Sequence, residues 1–541
     1  MSQVPVSRAA ARPGQPAEGR SLGPRRLRLT SVGWVIVATT ALALALRMWQ
    51  LSSPGRLTGV TEYDDGVYLG AALRLVHGVL PYRDFVLVQP PGLILLMTPV
   101  AALAKWTGTA GAMAVGRVLT ACVGAAAVPV AGRLVRHRGL LAVLITCGLL
   151  AVYPDAIAAS VTVLQEPWLV LCCLAGAVAV FDGDQVTRSW KRLAWGGAAF
   201  GFAGAIKVWA VIPALVIMVL AARRPRRAAV FLGGTAAGFL VPVLPFAVLR
   251  PALFYKGVIV AQVVRVDDVR VAAWTRLTSL TGLDSLSPVS HQAVLIASIV
   301  IAALVVLAFG GAWMVARRRP PALDWFALAT ATLVVAAFMW PADFYYHYSD
   351  FLAPFLALCL GLPVARLVAG LEEAGWRPAR NGRARRAATA VTLAAIAAMA
   401  VSQVYHEGRA TASVHEFAAL QRVIPPGACV LTDEVSYTIA ADRFLSSVPG
   451  CSPVVDGVGT DLALGHGRNG VTGAGRVPAV HTVWDQALRT AQYVWLSSKL
   501  DSVEARRIAW TPALRAYFFG HFGPVHGPGL PDNLYRRVAQ P

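Results

Sequence analysis

The chain has 541 residues, 56% of them hydrophobic, with a mean hydropathy of +0.58 and a formal net charge of +21. That is more apolar material than a soluble core needs, and it lies in runs long enough to cross a bilayer, so the chain reads as a polytopic membrane protein. The positive charge does not point to nucleic acid, because the arginines sit in short clusters between hydrophobic runs and form no continuous basic surface.

In chain order, residues 1–30 form a basic tail with Arg8, Arg12, Arg20, Arg25, Arg26 and Arg28, expected in the cytoplasm. A first span follows from Ser31 to Gln50. It is long and lacks a small-residue cleavage site, so it reads as an anchor and not a removed signal peptide. The loop 51–90 is then outside. Residues 90–105 are short and start with proline, which predicts an interfacial or re-entrant segment and not a crossing.

Further spans are expected at 112–133, 139–153, 162–181, 193–206, 208–222, 228–249, 292–316, 322–340, 351–369 and 388–405, which makes about eleven in the unit 31–405. The arginine clusters at 133–138, 188–192, 223–227, 317–319 and 377–386 all fall inside with that count, and the C-terminus falls outside. A crossing at 90–105 would move every later cluster to the outer face. Residues 406–541 are therefore expected to form an extracytoplasmic domain, and roughly 135 residues is an ordinary size for one. Strand-like runs at 428–433, 452–456 and 493–498, with the helix-like HTVWDQALRTAQ, predict a small α/β unit, and the Gly-rich stretch 459–476 reads as a loop. Cys429 and Cys451 fall in this domain, where a disulfide is permitted, but spacing alone does not establish one.

The first outer loop carries the chemistry. Glu62, Asp64, Asp65 and Asp84 lie there in a chain with only 14% charged residues. Carboxylates beside hydrocarbon are costly to desolvate, so the cluster is a candidate site. The same acids have a plainer reading as the cap and first turn of the amphipathic stretch DGVYLGAALRLVHG.

The segment Asp64-Asp65-Gly66-Val67-Tyr68-Leu69, then His77-Gly78, Pro81-Tyr82-Arg83-Asp84-Phe85 and Gln89-Pro90-Pro91-Gly92, resembles the first outer loop of the GT-C glycosyltransferases, in the branch of protein O-mannosyltransferases and aminoarabinose (ArnT-like) transferases. Asp65 stands where that branch commonly has Glu, and Gln89 where it has Lys, so cations for a donor phosphate must come from elsewhere. Gly201 to Lys207 with Trp209, and Tyr346-His347-Tyr348 to Pro354, extend the resemblance over most of residues 30–405. It does not reach the C-terminal domain.

The resemblance implies transfer of a sugar from a polyprenyl-phosphate donor to an extracytoplasmic acceptor, at a helical membrane fold and without a cofactor or metal. Such a reaction needs a carboxylate base, here Asp64 with Asp65 as partner, and cations for the departing phosphate. Tyr68, Arg83, Asp84, Lys207, His347 and Tyr348 are the candidate substrate contacts. Against these stand a turn pair for Arg83 and Asp84, a snorkelling Lys207 and an aromatic belt around His347. Asp267 and Asp268 read as a solvated loop network, and Glu166 as a lesser candidate. The tail is expected to recognise the acceptor or cover the site. A transporter of a lipid or envelope precursor is the alternative, though no internal repeat supports it. Ala, Arg and Gly usage suggests a bacterial plasma membrane.

Overall fold

The computed structural model describes residues 30–266, 271–283, 290–317, 319–340, 344–376, 378, 381–407, 417–498, 500 and 507–538. Asp267 and Asp268 lie outside the described residues. Thr30 opens the bundle by accepting the Gly33 N–H at 3.3 Å, which caps α1 (Ser31–Ser52). There follow α2 (Tyr63–Val76), α3 (Gly92–Ala102), α4 (Ala104–Val135), α5 (Leu140–Val152), α6 (Pro154–Ser160) and α7 (Glu166–Val180). A two-stranded hairpin, β1 (Phe181–Asp182) and β2 (Gln185–Val186), turns the chain into α8 (Trp190–Ile206), α9 (Val211–Ala221) and α10 (Pro225–Ala247). The bundle closes with α11 (Pro251–Val263), α12 (Ala273–Ser279), α13 (His291–Ala316), α14 (Ala322–Phe338), α15 (Tyr348–Glu373) and α16 (Arg383–Glu407).

Among the described residues, α1, α4, α10, α13, α15 and α16 are the 6 helices long and apolar enough to cross a membrane, or 7 with α5 and α6, bent by 54°, taken as one span. The other expected spans are shorter helices. The one predicted at 162–181 starts only at Glu166, because residues 161–165 lead their backbone into the first loop and Pro167 sits in the opening turn of α7. Likewise α8 stops at Ile206, where Lys207 turns extended (φ −150°, ψ 133°) before α9 begins. At α3, 11 residues reach only about 17 Å, well short of a hydrocarbon core. Between α8 and α10 the backbones nearly touch: a Cβ on Gly201 would lie 2.0 Å from the Thr235 carbonyl, and one on Gly238 2.1 Å from that of Ala198. Small residues spaced by four permit that approach.

The helices sort the polar residues to two ends. Arg133, Arg136 and Arg192 line one hollow beside the β1–β2 hairpin, and Arg188, Arg223, Arg224, Arg227 and Arg319 a second. Lys207, at the far end of α8, lines a cavity shared with Asp456 and Arg507 of the C-terminal domain, and Glu166, at the start of α7, pairs with it.

That domain contains a four-stranded sheet in the order β3-β4-β6-β5, from β3 (Val430–Thr432), β4 (Tyr493–Trp495), β5 (Phe522–Pro524) and β6 (Leu534–Arg537). β3 and β4 pair in parallel with Leu431 opposite Val494; the other pairings are antiparallel. Its helices are α17 (Phe417–Val423), α18 (Val435–Ala440), α19 (Gly457–Leu464), α20 (Pro478–Thr490) and α21 (Pro512–His521). Trp484 and Leu488 of α20 bury against Val494 and Phe518. Cys429 and Cys451 are disulfide-bonded. The strand expected at 452–456 is irregular chain, and the stretch read as a loop from 459 begins inside α19, because Asp456 accepts the Gly459 N–H at 2.7 Å and starts a helix there. The domain docks directly on the bundle: Thr109 of α4 donates to the Ile439 carbonyl at 2.6 Å, and Asp442 accepts the Ala110 N–H at 3.0 Å.

Candidate active site between the bundle and the C-terminal domain

A cavity of about 210 Å³ opens where α2, the α8–α9 break, α15 and the C-terminal domain meet. Asp64, Tyr68, Lys207, His347 and Tyr348 all line it, so five residues singled out by sequence from three distant segments converge. Glu62, Tyr63, Gln89, Arg265, Asp456 and Arg507 complete the polar wall.

The cationic side is built on Glu166. Its Oε1 accepts from Lys207 Nζ at 2.5 Å and meets His347 Nδ1 at 2.8 Å, with all three side chains buried. Glu166 thus turns one oxygen to two nitrogens and fixes both at the cavity edge. Lys207 lies 3.7 Å above the Trp209 ring, a cation–π contact that helps hold the ammonium out of water. Tyr68 reaches Gln165 Oε1 at 3.0 Å, and Gln165 donates to the Ile206 carbonyl at 2.6 Å, which ties α2 to the start of α7 and the end of α8.

The acidic side is Glu62, Asp64 and Asp456. Among the described residues, no hydrogen bond or ion pair engages the Asp64 carboxylate. Burial pushes it up to about 6, against His347, which lowers it, and with Glu62, which raises it further. Asp456 is also pushed up to about 6, chiefly by burial, with the Gly459 N–H opposing and Asp64 adding to the rise. Its Oδ1 accepts from Tyr63 at 3.0 Å. Burial raises Glu62 as well, and its side chain takes the Tyr63 N–H at 3.0 Å as the cap of α2.

Asp65 is not at this cavity. It is fully buried on another face of α2 in an ion pair with Arg117, itself fully buried, and its Oδ1 accepts the Val163 N–H at 3.0 Å. The spacing explains the split, since neighbours on a helix point about 100° apart. Arg83 and Asp84 are also absent. They pair with each other at 2.7 Å, and Asp84 closes its own turn by accepting the Leu80 N–H at 2.7 Å. Glu166, Asp456, Arg265 and Arg507 carry more of the site than their sequence signal suggested. Among the described residues no group of three His, Cys, Asp or Glu could hold a metal ion.

Helices long enough to cross a membrane, a polar cavity at their end and an α/β domain over it define a membrane-embedded fold with an active-site-like cleft. Residues 88–341 match the family model of glycosyltransferase family 87. The chain matches no curated protein. ArnT from Cupriavidus metallidurans in the apo state superposes with a TM-score of 0.58 at 15% identity, over 93% of this chain and 97% of that one. The same protein bound to undecaprenyl phosphate gives 0.54 at 16% identity, over 77% and 86%. The Archaeoglobus fulgidus oligosaccharyltransferase tethered to an acceptor peptide gives 0.52 at 13% identity, over 91% and 72%. At these identities the likeness is one of fold. The chain thus shares its fold with these membrane transferases.

Proposed function

We propose that the protein moves a glycosyl group from a polyprenyl-phosphate donor to a hydroxyl on an extracytoplasmic acceptor, with Asp64 as general base. The observation that carries this is the Asp64 carboxylate, unpartnered among the described residues, on the same cavity as the Glu166-anchored Lys207 and His347. The acceptor O–H gives its proton to Asp64 as the oxygen attacks the anomeric carbon. The bond from that carbon to the phosphate oxygen breaks, and the phosphate leaves with the electron pair. Lys207 offsets its charge in a site shielded from water, where a fixed cation is worth most. Arg265 and Arg507 line the same cavity and supply the cations that Gln89 does not. ArnT, similar in fold, has been solved with undecaprenyl phosphate, which supports a lipid-linked donor here.

Membranes containing the protein, given a synthetic polyprenyl-phosphate sugar labelled in the sugar, should transfer label to an envelope acceptor fraction. Absence of both transfer and donor hydrolysis would overturn the reading. The cavity and the C-terminal domain share one end of the bundle and the arginine hollows occupy the other, which under the positive-inside rule supports an extracytoplasmic cavity. A reporter fused after Pro541 is expected to be active only when it requires export, and a cytoplasmic signal would reverse the orientation.

A further inference from the structure

Among the described residues the Asp64 carboxylate has no side-chain partner, so its aim is set by the backbone of the turn that carries it. That turn is gripped by the C-terminal domain. Ser436, fully buried at the start of α18, donates its hydroxyl to the Glu62 carbonyl at 2.8 Å and accepts the Gly66 N–H at 3.1 Å. In an uninterrupted helix the Gly66 N–H would bond to that same Glu62 carbonyl, four residues earlier. One hydroxyl from a residue 370 positions away therefore bridges the first turn of α2, around Asp64.

The approach is as close as the chain allows. A Cβ on Gly66 would lie 2.4 Å from both Ser436 N and Ser436 Oγ, so only glycine admits the bridge. A second hold acts on the residue before the base. The Tyr63 ring lies under the Arg507 guanidinium at 4.9 Å, its hydroxyl donates to Asp456 at 3.0 Å, and Arg507 is itself paired with Glu434, the residue that precedes α18. Tyr63 and Gly66, on either side of Asp64, are both fixed by the domain.

We propose that Ser436 is a positioning residue for the catalytic base: the C-terminal domain aims Asp64 by inserting the Ser436 hydroxyl into the first turn of α2. This rests on the reading of Asp64 as base. It also makes the domain part of the catalytic centre, beyond acceptor recognition or cover. Misplacement of a reacting group by about 1 Å can cost a hundredfold, so a loosened turn should lower turnover while leaving Lys207 and its Glu166 anchor in place.

The test uses the full chain in proteoliposomes. Ser436→Ala is expected to lower kcat by roughly tenfold to a hundredfold with the donor KM within about twofold, and to displace the acid limb of the pH–rate profile. Ser436→Thr, which restores the hydroxyl, should recover most of kcat. A purely structural Ser436 would lower the folded fraction and leave kcat per donor-binding protein and the pH limb unchanged, and that result overturns the proposal. Should Ser436→Ala fail to insert, Ser436→Cys keeps the volume and weakens the hydrogen bonds, with the same pattern expected at smaller size; unchanged kcat and pH limb there also overturn it. Asp64→Asn, run alongside, separates the two readings. If Asp64→Asn is inactive and Ser436→Ala is as active as the wild type, only the positioning role falls. If Asp64→Asn retains full activity, the base assignment falls and takes the positioning role with it.

Discussion

Asp64→Asn is expected to lower glycosyl transfer by about a hundred- to ten-thousandfold, the usual cost of losing a general base, while the protein inserts and melts no lower than the wild type. The second half of that expectation follows from the contacts. Asn keeps the shape of the side chain, and no described hydrogen bond or ion pair depends on the carboxylate it replaces. The competing account, in which Asp64 serves the helix start, would cost about 0.5 to 2 kcal/mol of stability and leave the chemistry intact. The structure gives the cap to Glu62, whose side chain takes the Tyr63 N–H at 3.0 Å. Initial rates with a labelled donor, compared with thermal melting of the same preparation, separate the two accounts. Transfer near the wild-type rate by Asp64→Asn would end the base assignment.

The same carboxylate sets a pH dependence with a definite sign. Burial holds Asp64 at about 6, above the ordinary value of 3.8, and a base works only when ionised, so the rate should climb as pH rises through about 6. Stability runs the other way: a carboxyl raised on folding stabilises the native state below 3.8, and that contribution is lost as pH rises through about 6. Asp456 also lies at about 6, and Asp64 contributes to its rise, so the acid limb belongs to the pair. In Asp64→Asn the remaining carboxyl, relieved of its neighbour's charge, should titrate lower.

Several residues of this candidate site were legible in the sequence, for a reason that also marks the limit. Asp64, Lys207 and His347 stand out because charged groups at the ends of apolar helices are rare and costly, so each announces itself within its own segment. Which way a side chain faces is a different matter. Asp64 and Asp65 are adjacent acids in one helical turn, and only the position of Arg117, 52 residues away, decides that Asp65 points into the protein. Arg83 and Asp84 looked equally polar, yet the turn closed by the Asp84 carboxylate on the Leu80 N–H uses them locally. The contribution of the C-terminal domain was the least legible part. Ser436, Asp456 and Arg507 lie among ordinary polar residues of a small α/β unit and carry no pattern of their own. Their contacts with α2 come from docking, a long-range contact that periodicity does not encode.

Asp65→Asn should behave as the inverse of Asp64→Asn, with stability lost and chemistry per folded molecule kept. Asp65 and Arg117 are both fully shielded from solvent. Arg117 also holds the Arg56 and Leu57 carbonyls at 2.8 and 3.0 Å and Thr61 at 3.0 Å, so the pair joins α4 to the loop that leads into α2. Removing one charge leaves the other buried without compensation, which typically costs about 3 to 5 kcal/mol. A detergent-solubilised Asp65→Asn protein should therefore melt well below the wild type. Replacing both partners with apolar residues, Asp65→Leu with Arg117→Met, removes the stranded charge, and part of the lost stability should return. The rate per donor-binding molecule is the discriminating measurement, since Asp65 touches no part of the cavity. If Asp65→Asn melts like the wild type and loses transfer as fully as Asp64→Asn is expected to, the ion pair is not structural and the base is Asp65.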